Sequence, residues 1–291
     1  MKVMGRMWAV TAMVAWTSAG MLGCGDDDSS SAAATGGAAG SGASGGAAGN
    51  AGSAGSAASG GSAGISGGAG TGGANVQIQY VAMVRGTLLA STLAESKTTH
   101  DQIAQAGEAP AKQAGDIGHD AFLGTTLLGT TENEFLAVDR WQTDGNMDAF
   151  YSNPTLQQGF ATLIAAPLVL ESFACPSDWH GWGALTAGKG QNRVYVVVRG
   201  KLKESDTAMA RQQHNAVAQG GEAAATQAGD IAHVACIGRA DPQEFLAVDV
   251  WSDTTNLETL YQDPNFQAAF ATLFSAAPTL GVYASTDWHQ W

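Results

Sequence analysis

From residue 76 onward the chain alternates between short β-forming runs and stretches with helical spacing, and it does so twice. Val76 to Val84 alternates apolar and polar positions and is rich in β-formers, as is Val194 to Val198, so each copy opens with a strand. A helix is predicted over Glu95 to Gln105, where His100, Ile103 and Ala104 share a face, and over Glu204 to Gln219, with Gly107 and Gly221 ending them. Two strands follow, about Ile117 to Leu128 and Glu134 to Trp141, joined by a polar turn that becomes Arg239 to Gln243 in the second copy. Asn153-Pro154 and Asp263-Pro264 each supply an N-cap followed by proline at the first helical position, where its missing N–H is not needed. The helices they open carry Leu156, Phe160 and Leu163, or Phe266, Phe270 and Leu273, at helical spacing and run to about Ala165 and Ser275. A last strand spans about Leu168 to Ala174 and Leu280 to Ser285.

The order β-α-β-β-α-β is that of a ferredoxin-like unit, an antiparallel sheet with both helices on one face. The other face needs cover, and the second copy is the obvious partner. The predicted fold class is therefore α+β, with two ferredoxin-like βαββαβ units paired as an intrachain pseudo-dimeric α+β barrel.

The duplication is visible residue by residue. Val84-Arg85-Gly86 recurs as Val198-Arg199-Gly200, His100 as His214, and Gln113 to Ile117 with His119 as Gln227 to Ile231 with His233, all at one offset. After a shortened hairpin, Phe135-Leu136-Ala137-Val138-Asp139 with Trp141 returns as Phe245-Leu246-Ala247-Val248-Asp249 with Trp251. Tyr151, Pro154, Phe160 and Leu163 match Tyr261, Pro264, Phe270 and Leu273, and Asp178-Trp179-His180 with Trp182 matches Asp287-Trp288-His289 with Trp291. All 6 histidines fall into such pairs.

The amino end is different in kind. Lys2 and Arg6, an apolar run from Met7 to Leu22, and small residues ending at Gly23 and Cys24 form the layout of a secretory signal, too short and too punctuated for a membrane span. Met21-Leu22-Gly23-Cys24 resembles a bacterial lipobox, which implies cleavage before Cys24 and a lipid on that cysteine; an ordinary cleaved signal is the alternative. The stretch from residue 24 to 75 is almost wholly Gly, Ala and Ser, too poor in apolar surface to offset its ordering entropy. The domain reading is thus a lipoprotein signal over 1–23, a disordered tether over 24–75, the first repeat over 76–182, a Gly-rich linker over 183–192 and the second repeat over 193–291. The expected location is the cell envelope, lipid-anchored and at the outer membrane, with the membrane as partner through Cys24.

Charge narrows the partners. Residues 76–291 carry 11 basic and 23 acidic side chains. Such a surface repels phosphate backbones, so nucleic acid is not an expected partner. Cys175 and Cys236, one per repeat at non-equivalent positions, read as two buried thiols, with a disulfide across the domains as the alternative in an oxidising compartment.

The run Phe245-Leu246-Ala247-Val248 ending in Trp251, the helix start at Asn256, and Tyr261-Gln262-Asp263-Pro264-Asn265-Phe266 leading into Phe270 resemble the antibiotic biosynthesis monooxygenase family of dimeric α+β barrels. The resemblance covers both units. It implies sheets face to face, a pocket per unit between sheet and helices, and, in some members, oxidation of polyketide-like aromatics by dioxygen without metal or flavin. Other members degrade haem with an Asn on the first strand, a Trp ending the third and a His on the second helix. Here Trp141 and Trp251 fit, but the first strands offer Arg85 and Arg199, and the second helices have no His, so that site does not carry over.

Candidate chemistry rests on the repeated histidines. His100 and His214 lie on the apolar side of the first helix, facing where the pocket falls; His119 and His233 lie on the second strand near Asp116 and Asp230. These four are the catalytic candidates, and satisfied core histidines are the plainer reading. Trp141 and Trp251 are binding candidates that serve equally as core. In an extended chain Asp178, His180 and Trp182 project to one side, as do Asp287, His289 and Trp291, so a carboxylate would sit beside each imidazole and raise its basicity. No HxxxH or CxxC spacing supports a metal, and no phosphate-binding loop, dinucleotide fingerprint or nucleophile elbow is present. No cofactor is called for. Three classes remain: a cofactor-independent oxygenase acting on a small aromatic or quinone-like compound, a module binding a small hydrophobic ligand without chemistry, and a structural envelope lipoprotein.

Overall fold

A computed structural model describes residues 76–291; the expectations about the signal, Cys24 and the tether lie outside the described residues. The elements are β1 (Ile78–Thr87), α1 (Leu93–Ala114), β2 (Asp116–Gly124), β3 (Glu134–Trp141), α2 (Met147–Tyr151), α3 (Pro154–Leu163), β4 (Val169–Pro176), β5 (Val194–Lys201), α4 (Thr207–Ala228), β6 (Asp230–Gly238), β7 (Glu244–Trp251), α5 (Leu257–Gln262), α6 (Pro264–Ala271) and β8 (Thr279–Ser285). The eight strands close into one barrel in the order β1-β3-β2-β8-β5-β7-β6-β4, all pairs antiparallel. Each half contributes four consecutive strands. Two short seams join the halves, Phe122–Gly124 of β2 with Tyr283–Ser285 of β8 and Phe173–Ala174 of β4 with Ile237–Gly238 of β6.

Strand alternation sorts the side chains into two buried layers. Val81, Met83, Leu136, Val138, Tyr195, Val197, Leu246 and Val248 fill the barrel interior. The opposite parity, Ala82, Val84, Phe135, Ala137 and Trp141 in the first half and Val196, Val198, Phe245, Ala247 and Trp251 in the second, packs under the helices. Both faces of these strands are covered, which is why they read as nearly continuous apolar runs. Within the barrel, the buried Asp120 is held by Arg193 at 2.7 Å and Lys189 at 3.2 Å, tying the linker and the start of β5 to β2.

Two expectations are corrected. Cys175 and Cys236 are joined in a disulfide, with Cα atoms 4.0 Å apart. They continue the cross-strand pairing of β4 with β6, a proximity that sequence separation concealed. The long helices do not stop at Gly107 and Gly221; α1 and α4 run on to Ala114 and Ala228. Added side chains at Gly107 and Gly221 would meet nothing, so these glycines cost helix propensity without ending the helix. The true stops are Gly115 and Gly229, whose φ of 109° and 112° is the left-handed cap conformation that suits glycine. No helix among the described residues is long and apolar enough to cross a membrane.

Candidate functional site

Those two glycine caps set the site, because Asp116 and Asp230 follow them as the first residues of β2 and β6. The pairing with β3 slips by one residue between Asp116 and Gly118, and with β7 between Asp230 and Ala232. A bulge of this kind reverses the parity of the residues before it. Ile117 and Ile231 are left on the surface, and the two carboxyls turn to the helix side, where His119 and His233 also point. On the neighbouring strands the same side carries Asp139 between Ala137 and Trp141 and Asp249 between Ala247 and Trp251.

These groups form a chain of hydrogen bonds in each half. Tyr151 donates its hydroxyl to Asp139 Oδ2, and Asp139 Oδ1 faces His119 Nδ1. His119 Nε2 lies 3.1 Å from His100 Nε2, and His100 Nδ1 lies 3.1 Å from Asp101 Oδ1. In the second half Tyr261, Asp249, His233 and His214 repeat the order, with 3.2 Å between the two Nε2 atoms and His214 Nδ1 ending 3.2 Å from Asn215 Oδ1.

Proton counting fixes the charge state. Both outer Nδ1 atoms face acceptors and must carry hydrogens, and the Nε2 pair shares one more, so three protons occupy four ring nitrogens. One imidazole of the first pair is therefore an imidazolium. It is His119: burial opposes its charge, but Asp139, through its charge and hydrogen bond, and Asp116 raise its pKa. Burial, followed by the charge of His119, lowers His100 to about 4. Burial and the charge of His233 likewise lower His214 to about 3.

The tails after β4 and β8 cross over. Residues Asp287–Trp291, from the end of the second half, lie on the first half's site, and Asp178–Trp182 lie on the second's. Trp291 pairs its backbone with His119 in both directions at 3.2 Å and stacks on that imidazole with ring centroids 4.6 Å apart. Trp182 does the same to His233, with centroids 4.8 Å apart. Trp288 sits 5.0 Å from His100 and Trp179 5.1 Å from His214. The His289 backbone N–H donates to Asp101 at 2.7 Å, and that of His180 to Asn215 at 2.6 Å. Each site is thus built from both halves.

Between sheet, helices and tail lies a small apolar cavity in each half. The space open to the centre of a water-sized molecule is about 40 Å³ in the first and about 50 Å³ in the second. Allowing for the molecule's own radius, a compact space of this kind encloses a body of roughly 200 Å³, the scale of a single substituted ring rather than a polycycle. Ile103, Leu156 and Phe160 line the first cavity on one side and Asp116, His119 and Tyr151 on the other. Burial, then the charge of Asp139, raises Asp116 to about 7. The Trp291 indole N–H lowers it somewhat from outside hydrogen-bond geometry, and has no partner among the described residues. Burial and Asp249 raise Asp230 further, to about 9. No group of three or more His, Cys, Asp or Glu among the described residues is placed to hold a metal ion.

The four candidate histidines are thus brought together in two pairs, but His100 and His214, neutral and engaged at both nitrogens, are poor proton acceptors near neutrality. Trp141 and Trp251 are fully buried core residues. The expected pairing of Asp178 with His180, and of Asp287 with His289, is not made. After Pro176 the chain turns instead of extending, so Asp178 binds Arg211 while His180 binds Glu222 at 2.9 Å; Asp287 faces Lys97 at 3.8 Å, and His289 binds Glu108 at 2.8 Å. The sequence reading missed Asp139, Asp249, Tyr151 and Tyr261 as functional residues. The signal was present: an acidic residue closing a duplicated apolar strand is buried and needs a partner.

Neither a family model nor a curated protein matches the sequence. Solved structures do. An anthrone oxidase-like protein superposes with a TM-score of 0.51 at 16% identity, over 74% of this chain and 93% of its own. A presumed monooxygenase from Fusobacterium nucleatum subsp. nucleatum superposes with a TM-score of 0.50 at 8% identity, over 74% of this chain and 98% of its own. At these identities the likeness is one of fold. The chain has the ferredoxin-like α+β architecture of monooxygenase-like proteins, as the resemblance of its residues implied.

Proposed function

We propose that the protein is a lipid-anchored envelope protein in which two monooxygenase-like units form an intrachain pseudo-dimer, each with a pocket that oxidises a single-ring hydroquinone-like compound using dioxygen. The observation that carries this reading is the small, mostly apolar cavity with a carboxyl at about 7 on its wall and a relay of Tyr, Asp and two His behind it. A base tuned near the working pH removes a ring hydroxyl proton most effectively, and a dry pocket keeps the resulting anion reactive towards dioxygen. Asp116 takes that proton. A C–O bond then forms at a ring carbon, the O–O bond breaks, and a proton from the relay accompanies the departing oxygen. One dioxygen is consumed per hydroquinone; one oxygen atom enters the ring as a hydroxyl, the other leaves as water, and the substrate supplies the four electrons as it becomes a hydroxyquinone.

The anchoring part of the proposal rests on the signal over 1–23, the lipobox resemblance ending at Cys24, and the tether over 24–75, with the repeats at 76–182 and 193–291 on either side of the linker. A disulfide in the folded part suits an oxidising envelope compartment. The second reading, a binding module without chemistry, has one observation in its favour: at about 9, Asp230 is protonated near neutrality, which would leave the second pocket without a base. Oxygen uptake with methylated single-ring hydroquinones tests the proposal. Uptake that is lost in Asp139→Asn supports it, and saturable binding with no uptake at any pH between 6 and 9 replaces it with the binding module.

A further inference from the structure

The two relays differ at their outer end. Residue 101 is Asp where the equivalent position, 215, is Asn. In the first half His100 Nδ1 meets a carboxylate whose side chain is 22% exposed and whose other oxygen takes Lys97 at 2.9 Å. In the second, the Asn215 carboxamide oxygen takes both His214 Nδ1 and the His180 N–H, and its nitrogen donates to Asp178 O at 3.0 Å. The other charges around the relays match except at two positions, Lys112, which binds Glu108, and Asp120, beside His119, where the second half has Thr226 and Val234. Asp116, His119 and Asp139 correspond to Asp230, His233 and Asp249; Glu108 with His289 corresponds to Glu222 with His180; and Lys97, near Asp287, corresponds to Arg211, which holds Asp178.

We propose that the duplicated sites have diverged in proton supply: Asp101 connects the first relay to solvent, and Asn215 closes the same route in the second. A proton passing from His119 Nε2 to His100 Nε2 makes His100 an imidazolium, which must release its Nδ1 hydrogen to restore the neutral ring. A carboxylate accepts that hydrogen and hands it to water; the carboxamide oxygen of Asn215, on α4 and hydrogen-bonded to the tail, accepts no proton at accessible pH. The step moves one proton outward and leaves the His119–Asp139 pair free to take the next one from Tyr151 or the cavity. Although burial pushes it upward, the His289 N–H, Lys97 and His100 hold Asp101 down at about 2, so the acceptor is ionised at neutrality. The consequence for turnover, that the first pocket sustains it and the second mainly binds, rests on the oxygenase reading above; the proton route itself does not.

The test uses the full chain with ¹⁵N-labelled histidine, comparing exchange of the imidazole N–H groups with water in the wild type, Asp101→Asn and Asn215→Asp. Each substitution installs the residue that the other half already carries at the equivalent position, and melting temperatures confirm that both variants fold. In the wild type His100 and His119 should exchange about tenfold or more faster than His214 and His233, with Asp101→Asn slowing the first pair to the rate of the second and Asn215→Asp doing the reverse. Equal rates in the two halves, or rates unmoved by both substitutions, overturn the inference. Absent oxygen uptake with the exchange pattern intact would refute only the oxygenase.

Discussion

Replacing Asp116 by Asn should stabilise the protein, by an amount that grows with pH. The carboxyl sits at about 7 against an ordinary 3.8, because burial and the charge of Asp139 oppose its ionisation. Between these values the native state holds a proton that the unfolded chain has lost, so stability is intact below pH 3.8 and declines as pH rises through 7. The gap corresponds to about 4 kcal/mol once both states are ionised. Asn is neutral throughout and keeps an oxygen for the Gly118 N–H, which donates to Asp116 at 2.8 Å. The variant should therefore match the wild type below pH 4 and exceed it above pH 7. Part of the gain is offset, since the ionised Asp116 also supports the His119 imidazolium. Urea unfolding at pH 5 and pH 8 measures the difference, and the advantage of Asp116→Asn should widen by about 2 kcal/mol between them. An advantage independent of pH, or a loss at pH 8, would refute the assignment of a strained carboxyl. The same variant should lose oxygen uptake, the usual exchange of stability for function at a site.

Tyr151→Phe removes a donor from the buried Asp139 and should cost about 1–3 kcal/mol in the same assay. Non-reducing mass spectrometry should recover linked Cys175 and Cys236 peptides; opening that loop, across a sequence separation of 61, in Cys236→Ser should cost up to about 4 kcal/mol. Trp288→Ala should destabilise by about 3–5 kcal/mol. It should also shift the imidazole signals of His100 and His119 while leaving those of His214 and His233 in place, and Trp179→Ala should do the opposite.

Element order was legible because alternation and N-cap proline are local signals, and β3 and β7 fall at Glu134–Trp141 and Glu244–Trp251 for that reason. The helix ends were not. Gly107 and Gly115 look alike in sequence, and only the chain reversal into β2 makes the second one the cap. Repetition singled out all six histidines, yet their contacts arise between elements: His100 and His119 belong to a helix and a strand, and Trp291 reaches them from the opposite half. The bulge that turns Asp116 inward leaves no periodic trace, since it consists of one residue out of phase. The disulfide was hidden for the same reason, as β4 and β6 meet only when the barrel closes.

The account depends on two small cavities, each beneath the helices of one half and lined by a tryptophan from the tail of the other. The most direct measurement is titration of the ¹⁵N-indole-labelled protein with a methylated single-ring hydroquinone under anaerobic conditions. The N–H signals of Trp291 and Trp182, which line these cavities without hydrogen-bond partners among the described residues, should shift saturably. Saturable binding that leaves both signals unmoved would place the ligand elsewhere and contradict the account.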